Sequence, residues 1–444
     1  PDKRMCIMMN PELRRNIWLE FTTHRLIAAP VVLGCILYIG YLTGGMPYLK
    51  KISLQLFILL SFVWGTRTCS DGICSEINAH TWDWQRMSSL SPMKMSIGKL
   101  LGSTSFTWYC SLLVFMAYIA CSTVLNGTPV LTSALVLFMG ALFTQSLALV
   151  FSLNVLHYER HEKILSFKYF VAAVFIGGNL TYYAYKSLNL TFLVPWFHYN
   201  FSVNYFAPIS LTFFFLWSLI ALYRNLRIEL QYKNIPWVWG AFTVFCVVYF
   251  SGFLYQPNLH IVPPGKWFKT LNFGSLFFAF AVAMFLTYLS FLMEEIHLLR
   301  YKKLIISWSK GKISFLENLP RWVVSFIIML FIGIWIMLKP NDTAFRIDLF
   351  VMALTLLSIR DILLAHFFNF GINRKRTMLT ILFYFAVLYI LIPTLLELMH
   401  LKPVIAFFIP AIEDYPQYSI MGPLFQVSIF GYLVMLRAKR LNQN

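Results

Sequence analysis

Long apolar runs alternate with short polar segments along almost the whole chain. The runs have a length that lets one α-helix cross a bilayer, roughly 17 to 25 residues, and the polar segments between them are too short to form a separate globular domain. The pattern predicts an all-α polytopic membrane protein with about twelve transmembrane helices. The runs lie near residues 26–44, 52–66, 100–123, 130–155, 167–185, 205–223, 235–255, 271–293, 322–338, 346–368, 378–398 and 421–436.

The composition supports the same class. Of the 444 residues, 59% are hydrophobic and 12% are charged, whereas a soluble domain carries about 25% charged residues. The formal net charge is +18, and most of the Lys and Arg residues fall in alternate polar segments, beginning with the N-terminal one. Because basic loops stay on the cytoplasmic side, this asymmetry predicts that both termini are cytoplasmic. The basic charge then needs no nucleic-acid partner, and the bilayer is the expected surrounding.

The N-terminal segment predicts a different kind of helix. Asn10 can cap it, Pro11 suits its first position, and apolar residues then recur at helical spacing from Leu13 to Phe21 beside basic ones. This pattern is typical of an amphipathic helix that lies in the membrane interface. We therefore expect residues 1–25 to form a cytoplasmic interfacial helix, the alternative being an ordinary polar tail.

The polar segment between the second and third runs, residues 67–99, carries the most informative pattern. A Thr-Trp-Asp sequence opens a stretch with helical spacing, and a Ser-Pro pair marks its end. A Gly-Lys pair then leads into the third run. We expect a short amphipathic helix held just outside the membrane. The residues that define the pattern are Glu76, Thr81, Trp82, Asp83, Ser91, Pro92, Gly98 and Lys99.

This order of residues resembles the first cytoplasmic loop of exporter-type (type-2) ABC transporter permeases. That family has a glutamate, a Gly-Thr-x-Glu sequence, a short helix ending in Thr-Pro, and a later Gly-Lys pair. Trp82 and Asp83 stand where it commonly has a small apolar residue and Glu. The resemblance covers residues 10–230 and is weak beyond them. It implies that the short helix is a coupling helix that docks on a separate ATPase subunit, through the eight residues just given, in a bacterial inner membrane.

Two further features agree with the resemblance. The family has an interfacial helix before its first span, as expected here. It also has a re-entrant external segment between the fifth and sixth spans, where this chain has the sequence Pro-Trp-Phe-His-Tyr. The resemblance therefore makes Pro195 and Trp196 candidates for an external gate.

The family usually has six spans in a chain, so the remaining runs need their own interpretation. We expect residues 26–230 to form one six-helix permease half and residues 231–444 to form a second. Residues 294–321 form the other long cytoplasmic loop and match the position of 67–99 within their half. This match suggests an internal duplication, although the Ser-Pro and Gly-Lys pairs do not recur. One chain could then supply both halves of a pathway; otherwise a homodimer or a second permease would be needed.

The energy for transport is expected to come from another chain. The sequence has no Gly-x4-Gly-Lys-Ser/Thr phosphate loop, and none of its polar segments is long enough for a nucleotide-binding domain. A proton- or sodium-coupled carrier would place acidic residues inside its spans, and the first six runs have none. We therefore expect a transport subunit rather than an enzyme, with no cofactor or metal of its own. ATP and magnesium would be bound by the partner ATPase, in two copies.

Several charged residues lie in places where function has to be weighed against structure. Arg360 and Asp361 are adjacent within the tenth run. Because neighbouring side chains diverge on a helix, we expect each to need a partner elsewhere, and both structural pairing and substrate binding are open. His157, Glu159 and His161 have metal-like spacing but lack the His-Glu-x-x-His arrangement, and we expect them to lie in a solvated loop.

A second class of function stays open from the sequence alone. A membrane-embedded transferase acting on lipid-linked substrates would need acid, base or nucleophilic groups on its external face. Such groups are available at His198, His260, Glu413 and Asp414. A stand-alone ATPase encoded next to this chain would favour the transporter.

Overall fold

The computed structural model describes residues 10–88, 90–125, 130–155, 166–188, 193–232, 234–253, 274–292, 294, 298–310, 312–338, 346–370, 377–412 and 414–443. Within these ranges the chain is almost entirely helical, with one pair of short strands. Eight of the described helices are long and apolar enough to cross a membrane. The chain is therefore an all-α polytopic membrane protein, as the hydrophobic pattern predicts.

The eight helices do not correspond one to one with the predicted spans. The first, Thr23–Asn78, contains the first two predicted runs, and a kink separates them where Gly44 and Gly45 leave the helical conformation. Gly45 has a φ of 64°, which glycine adopts without a steric penalty. Another predicted run forms Trp237–Gly252, an apolar helix that is shorter than the eight. The number twelve stays a prediction.

The chain divides into two compact units, and the first comprises Pro1–Val194 and Asn200–Asn234. Its helices and π-helical segments, in chain order, are α1 (Pro11–Glu20), α2 (Thr23–Ile58), a π-helical segment (Leu59–Trp64), α3 (Gly65–Asn78), α4 (Trp82–Arg86), α5 (Pro92–Ser103), α6 (Ser105–Val124), α7 (Val130–Val155), α8 (Ser166–Ala173), a π-helical segment (Val174–Gly178), α9 (Asn179–Ser187) and α10 (Val203–Glu229). Strands β1 (Leu193–Trp196) and β2 (Tyr199–Ser202) precede α10.

The second unit comprises Pro195–Tyr199 and Ile235–Asn444. Its helices and π-helical segment are α11 (Trp237–Gly252), α12 (Ser275–Leu292), α13 (Leu298–Lys310), α14 (Lys312–Asn318), α15 (Arg321–Leu338), α16 (Ile347–Asn369), α17 (Thr377–Ala386), a π-helical segment (Val387–Leu391), α18 (Ile392–Leu398), α19 (Lys402–Ile405) and α20 (Pro416–Gln443). The division after Asn234 lies close to the boundary at residue 230 that the spacing of the runs suggests.

Helix α7 is the most buried candidate span of the first unit, and polar groups join it to its neighbours. Gln145 Nε2 donates to the carbonyl of Ser61, 3.0 Å away, and Trp108 Nε1 donates to Gln145 Oε1 at 2.9 Å. Ser61 lies in the π-helical segment after α2. A side chain that inserts into the backbone hydrogen bonds of a helix is one cause of a local departure from regular α-helix. The buried amide of Gln145 is thereby satisfied within the helix bundle.

In the second unit, α16 takes the corresponding central place. It carries buried residues on every turn from Phe350 to His366, whereas the candidate spans on either side of it in the chain are much less buried, and α16 itself is not one of the eight candidate spans. One core cluster packs α12, α15 and α16 around Phe280, Met329 and Val351. Because α16 is enclosed by other helices, its two charged residues lie in the interior of this unit.

Candidate functional site

Four charged side chains join three helices at the base of the predicted coupling loop. Lys99 Nζ lies 2.5 Å from Glu76 Oε2 and 3.4 Å from Glu12 Oε1. Arg15 Nη2 lies 2.9 Å from Glu12 Oε1 and 2.7 Å from Glu76 Oε1. Lys99 and Glu12 are both buried, so each charge depends on its partners for stability. We call these four residues the basal network; with two positive and two negative charges it ties α1, α3 and α5 together.

Glycine lets α1 approach α5 closely enough for the basal network to form. A Cβ atom at Gly98 would lie 2.7 Å from Glu12 Cβ, and one at Gly102 would lie 2.7 Å from Asn16 Nδ2. A side chain at Gly98 would therefore require a shift of α1, and one at Gly102 would require at least that Asn16 move. The Gly98-Lys99 pair thus combines close helix packing with a cation at the contact, which is a physical reason for these two residue types at adjacent positions.

Helix α4 is attached directly to the basal network. The backbone reverses at His80, which has a φ of 56°, and Thr81 then donates from both its N–H and its Oγ1 to the carbonyl of Glu76, at 2.9 and 3.1 Å. Gln85 Nε2 donates to Glu76 Oε1 at 2.7 Å. Glu76 therefore holds both the start of α4 and its last turn.

The inner face of α4 packs into the core of the first unit. Trp82 is 4% exposed, and Lys99 Nζ lies 5.2 Å from the centre of its ring, in cation–π range. Arg86 Nε donates to the carbonyl of Glu229 at the end of α10, 3.0 Å away. The core cluster that receives Trp82 includes Cys69, Ile73, Met95, Leu149 and Leu226. A rigid platform of helices therefore supports α4.

The burial of Trp82 corrects one expectation from the sequence. We expected its side chain to face a partner, but the exposed large side chains of this region are Trp84, at 76%, and Met87, at 74%. Asp83 is also exposed, with 75% of its side chain accessible. Residues two apart on a helix point to different sides, so only one of Trp82 and Trp84 can face outward. The apolar contact surface of α4 is therefore formed by Trp84 and Met87.

Ser91 and Pro92 belong to the next helix rather than to the end of α4. The side chain of Ser91 accepts a hydrogen bond from Lys94 N at 3.4 Å, and Pro92 is the first residue of α5. Gly98 and Lys99 then lie inside α5, which ends at Ser103 before α6 begins. The Ser-Pro pair thus starts the helix that carries Lys99 to the basal network.

The second group of charges lies in the interior of the second unit, at Arg360 and Asp361 on α16. The expectation that their side chains diverge is wrong. Arg360 Nε and Nη2 both donate to Asp361 Oδ1, at 2.9 and 2.6 Å, because the long arginine side chain folds back along the helix. The two residues are 0% and 1% exposed. The pair is therefore neutral as a unit and entirely enclosed by protein.

Side chains from three other helices complete this group. Tyr288 of α12 and Tyr389 of the π-helical segment before α18 donate their hydroxyls to Asp361 Oδ2, at 2.7 and 2.6 Å. Arg360 Nη1 donates to Gln426 Oε1 of α20 at 2.8 Å. The Arg360 guanidinium also lies 4.9 Å from the centre of the Tyr389 ring. We call these five residues the interior cluster, and it fastens four helical segments to one another.

The external-gate candidates Pro195 and Trp196 lie on β1, in a strand pair rather than a helix. Trp196 Nε1 donates to the carbonyl of Tyr249 at 3.1 Å, and Phe197 N donates to the carbonyl of Gly252 at 2.8 Å. A side chain at Gly252 would overlap the indole ring of Trp196. These bonds fix the tip of the strand pair against the end of α11.

Some predicted groups lie outside the described residues. These are the metal-like triplet His157, Glu159 and His161, and the transferase candidates His260 and Glu413. Of the other two candidates, His198 lies in the turn between the strands, and Asp414 lies just before α20. In the ranges that the structure describes, no three His, Cys, Asp or Glu residues come together as a metal site would require.

The helices and the two charged groups define a multi-pass α-helical membrane protein with one charge network at a helix-loop junction and another in its interior. Comparisons with protein-family models, with curated proteins and with solved structures find no match for this chain. The arguments for function therefore rest on its own residues.

Proposed function

We propose that the chain is the transmembrane permease subunit of an ATP-driven ABC transporter of the exporter type, in a bacterial inner membrane. A separate ATPase subunit, present in two copies, binds ATP and magnesium and docks on α4. The observation that carries the proposal is the two-sided character of α4. One face is fixed to the helix bundle through Trp82, and the other presents Trp84 and Met87 outward.

The outer face has the character of a docking site. Large aromatic and methionine side chains are enriched at the centres of protein interfaces, where a few residues supply most of the binding energy. Asp83 lies beside them and can pair with a basic group of the partner. Since Asp83 is nearly free of protein contacts on its exposed side, apart from Arg86 Nη1 at 3.5 Å, this carboxylate is available to the ATPase.

The attachment of α4 provides a route for force. A displacement of α4 by the ATPase moves Gln85 and Thr81, and both are hydrogen bonded to Glu76. Glu76 is paired to Lys99 on α5 and to Arg15 on α1. Short charge-assisted contacts of this kind hold their geometry better than neutral ones. Movement of α4 is therefore passed to three helices together.

The test replaces the outer face of α4. We expect Trp84→Ala with Met87→Ala to leave insertion and protein level unchanged, because both side chains are exposed. Co-purification of the ATPase from native membranes should weaken at least about tenfold, since an interface tryptophan can contribute more than about 2 kcal/mol. ATP-hydrolysing activity that co-purifies with the tagged chain is the measurement, together with mass-spectrometric detection of a phosphate-loop peptide.

The matched control is Trp308→Ala on α13, because Trp308 is 72% exposed and so nearly as accessible as Trp84. This variant should retain more of the ATPase than the α4 variant does. Equal ATPase recovery with the wild-type chain and the α4 variant would contradict the proposal and return the membrane-embedded transferase to first place.

A further inference from the structure

Helix α13 has an exposed face that the proposed function does not use. Lys302, Lys303 and Ile306 are all exposed on it. Ile306 follows the two lysines by four and three residues, so the three side chains are neighbours on one side of the helix. A basic face with an apolar residue in its middle is typical of a helix that lies on an anionic membrane surface.

The first turns of α13 are held against the ends of neighbouring helices. The hydroxyl of Tyr301 lies 2.7 Å from His366 Nε2, and His366 is in the last turn of α16. The ring of Tyr301 also meets the ring of Phe370 edge-on, with centroids 6.2 Å apart. Lys302 and Lys303 follow Tyr301 directly in the helix. Tyr301 also packs in the core cluster that contains Phe291 and Trp322, at the ends of the candidate spans α12 and α15. The two lysines are therefore held close to the ends of those spans.

The two ends of the loop that contains α13 are also joined. Glu294 Oε2 accepts a hydrogen bond from Arg321 N at 2.9 Å. Arg321 is the first residue of α15, a candidate span, and Glu294 follows the end of α12, another candidate span. The bond closes the loop at the ends of two spans. Together with the Tyr301 contact, it keeps α13 near the membrane surface.

We infer that the face formed by Lys302, Lys303 and Ile306 binds anionic phospholipid headgroups of the leaflet on its side of the membrane. The two ammonium groups pair with lipid phosphates, and Ile306 contacts the acyl-chain boundary between them. Charge alone would also suit an acidic protein, but the position of α13 beside the ends of two candidate spans and the exposed apolar side chain between the lysines favour lipid. This inference rests on the membrane fold and does not require an ATPase partner.

The test titrates phosphatidylglycerol and phosphatidylcholine into the purified full chain in neutral detergent, with bound lipid counted by native mass spectrometry. We expect the wild-type chain to prefer phosphatidylglycerol. The double variant K302Q/K303Q should bind it at least about tenfold more weakly, since each basic group near an anionic surface adds to the affinity. The charge-retaining variant K302R/K303R should keep wild-type affinity.

The matched control is K50Q/K51Q, which removes another adjacent lysine pair, on the predicted external side. It should bind phosphatidylglycerol as the wild-type chain does. Wild-type affinity in K302Q/K303Q would overturn the inference, and so would an equal loss in K50Q/K51Q, which would show that total charge alone governs binding. If K302Q/K303Q kept its lipid and lost a co-purifying protein, the face would belong to an acidic protein partner, and the lipid assignment would again be overturned.

Discussion

The basal network of the first unit and the interior cluster of the second unit both stabilise buried charges, but they do so in different ways. In the basal network, charges of opposite sign come from α1, α3 and α5, so full charges hold the helices to one another. In the interior cluster, both charges come from α16, and the neighbouring helices contribute only neutral hydroxyl and amide groups. Arg15 in the basal network is partly exposed, whereas Arg360 has no exposed surface.

The difference follows from burial. Arg15 keeps part of its contact with the surroundings, so ion pairs between separate helices are tolerable there. A charge with no exposed surface is far more costly when its partner moves away. Placing the acid and the base on adjacent residues keeps the interior cluster neutral whatever its neighbours do. The comparison predicts that loss of one charged partner costs less in the basal network than in the Arg360–Asp361 pair.

The largest effect is expected from breaking the interior pair. Arg360→Met leaves a carboxylate, and Asp361→Asn leaves a guanidinium, without a counter-ion in a buried site, at a cost of about 3 to 5 kcal/mol. Membrane-inserted protein and its melting temperature should fall in both. The double variant R360M/D361N should recover part of the loss, because it removes both charges. Normal abundance of D361N together with a complete loss of transport would instead favour a substrate site.

A smaller effect is expected at the basal network. Lys99→Met leaves Glu12 and Glu76 with Arg15 as their remaining cation, so we expect about 2 kcal/mol of destabilisation, less than for a pair with no second cation. The measurement is thermal unfolding of the purified chain. Lys99→Arg is the comparison variant, and it should lose less because it keeps the charge. A loss in K99M as large as that in R360M would show that the two charge groups do not differ as described.

The smallest effect is expected from the neutral members of the interior cluster. Tyr389→Phe removes one of two hydroxyl donors to Asp361 Oδ2 and leaves the ring over Arg360, so the cost should be about 1 kcal/mol. Tyr288→Phe removes the other donor and should behave alike. Thermal unfolding of both variants beside R360M gives the ranking. A Tyr389→Phe variant as unstable as R360M would mean that the hydroxyls, and not the ion pair, keep Asp361 in place.

The sequence predicts the class of fold and the first helix well. The apolar runs are long enough to predict a helical membrane protein by themselves. The cap at Asn10 is confirmed, because its side chain accepts a hydrogen bond from Glu12 N at 3.1 Å. A helix cap can be predicted because it depends on residues within one turn. The short helix after Thr81 is also confirmed, as α4, although the side chain of Thr81 does not cap it.

The charge partners could not be predicted, because they depend on contacts between distant residues. Glu12 and Lys99 each stand in a recognisable local pattern, but no spacing in the sequence connects them. Tyr288 and Tyr389 could not be predicted as partners of Asp361, since a tyrosine within an apolar run carries no sign of the acid that its hydroxyl will reach. The sequence also could not show which of Trp82 and Trp84 faces outward. Both are tryptophans in one short helix, and only the surrounding core decides which is buried.

The contact between Glu12 and Lys99 has a consequence for synthesis of the chain. The two residues are separated by 87 positions, and chains fold from the N-terminus as they emerge. Glu12 therefore leaves the ribosome with neither Glu76 nor Lys99 available, and the first helix can reach its final place only after the start of α5 has been made. Until then, α1 lacks its contacts with α5. We predict that its exposed Trp18 and Leu19 contact the membrane surface during this interval, so that the same helix binds the membrane before it packs against α5.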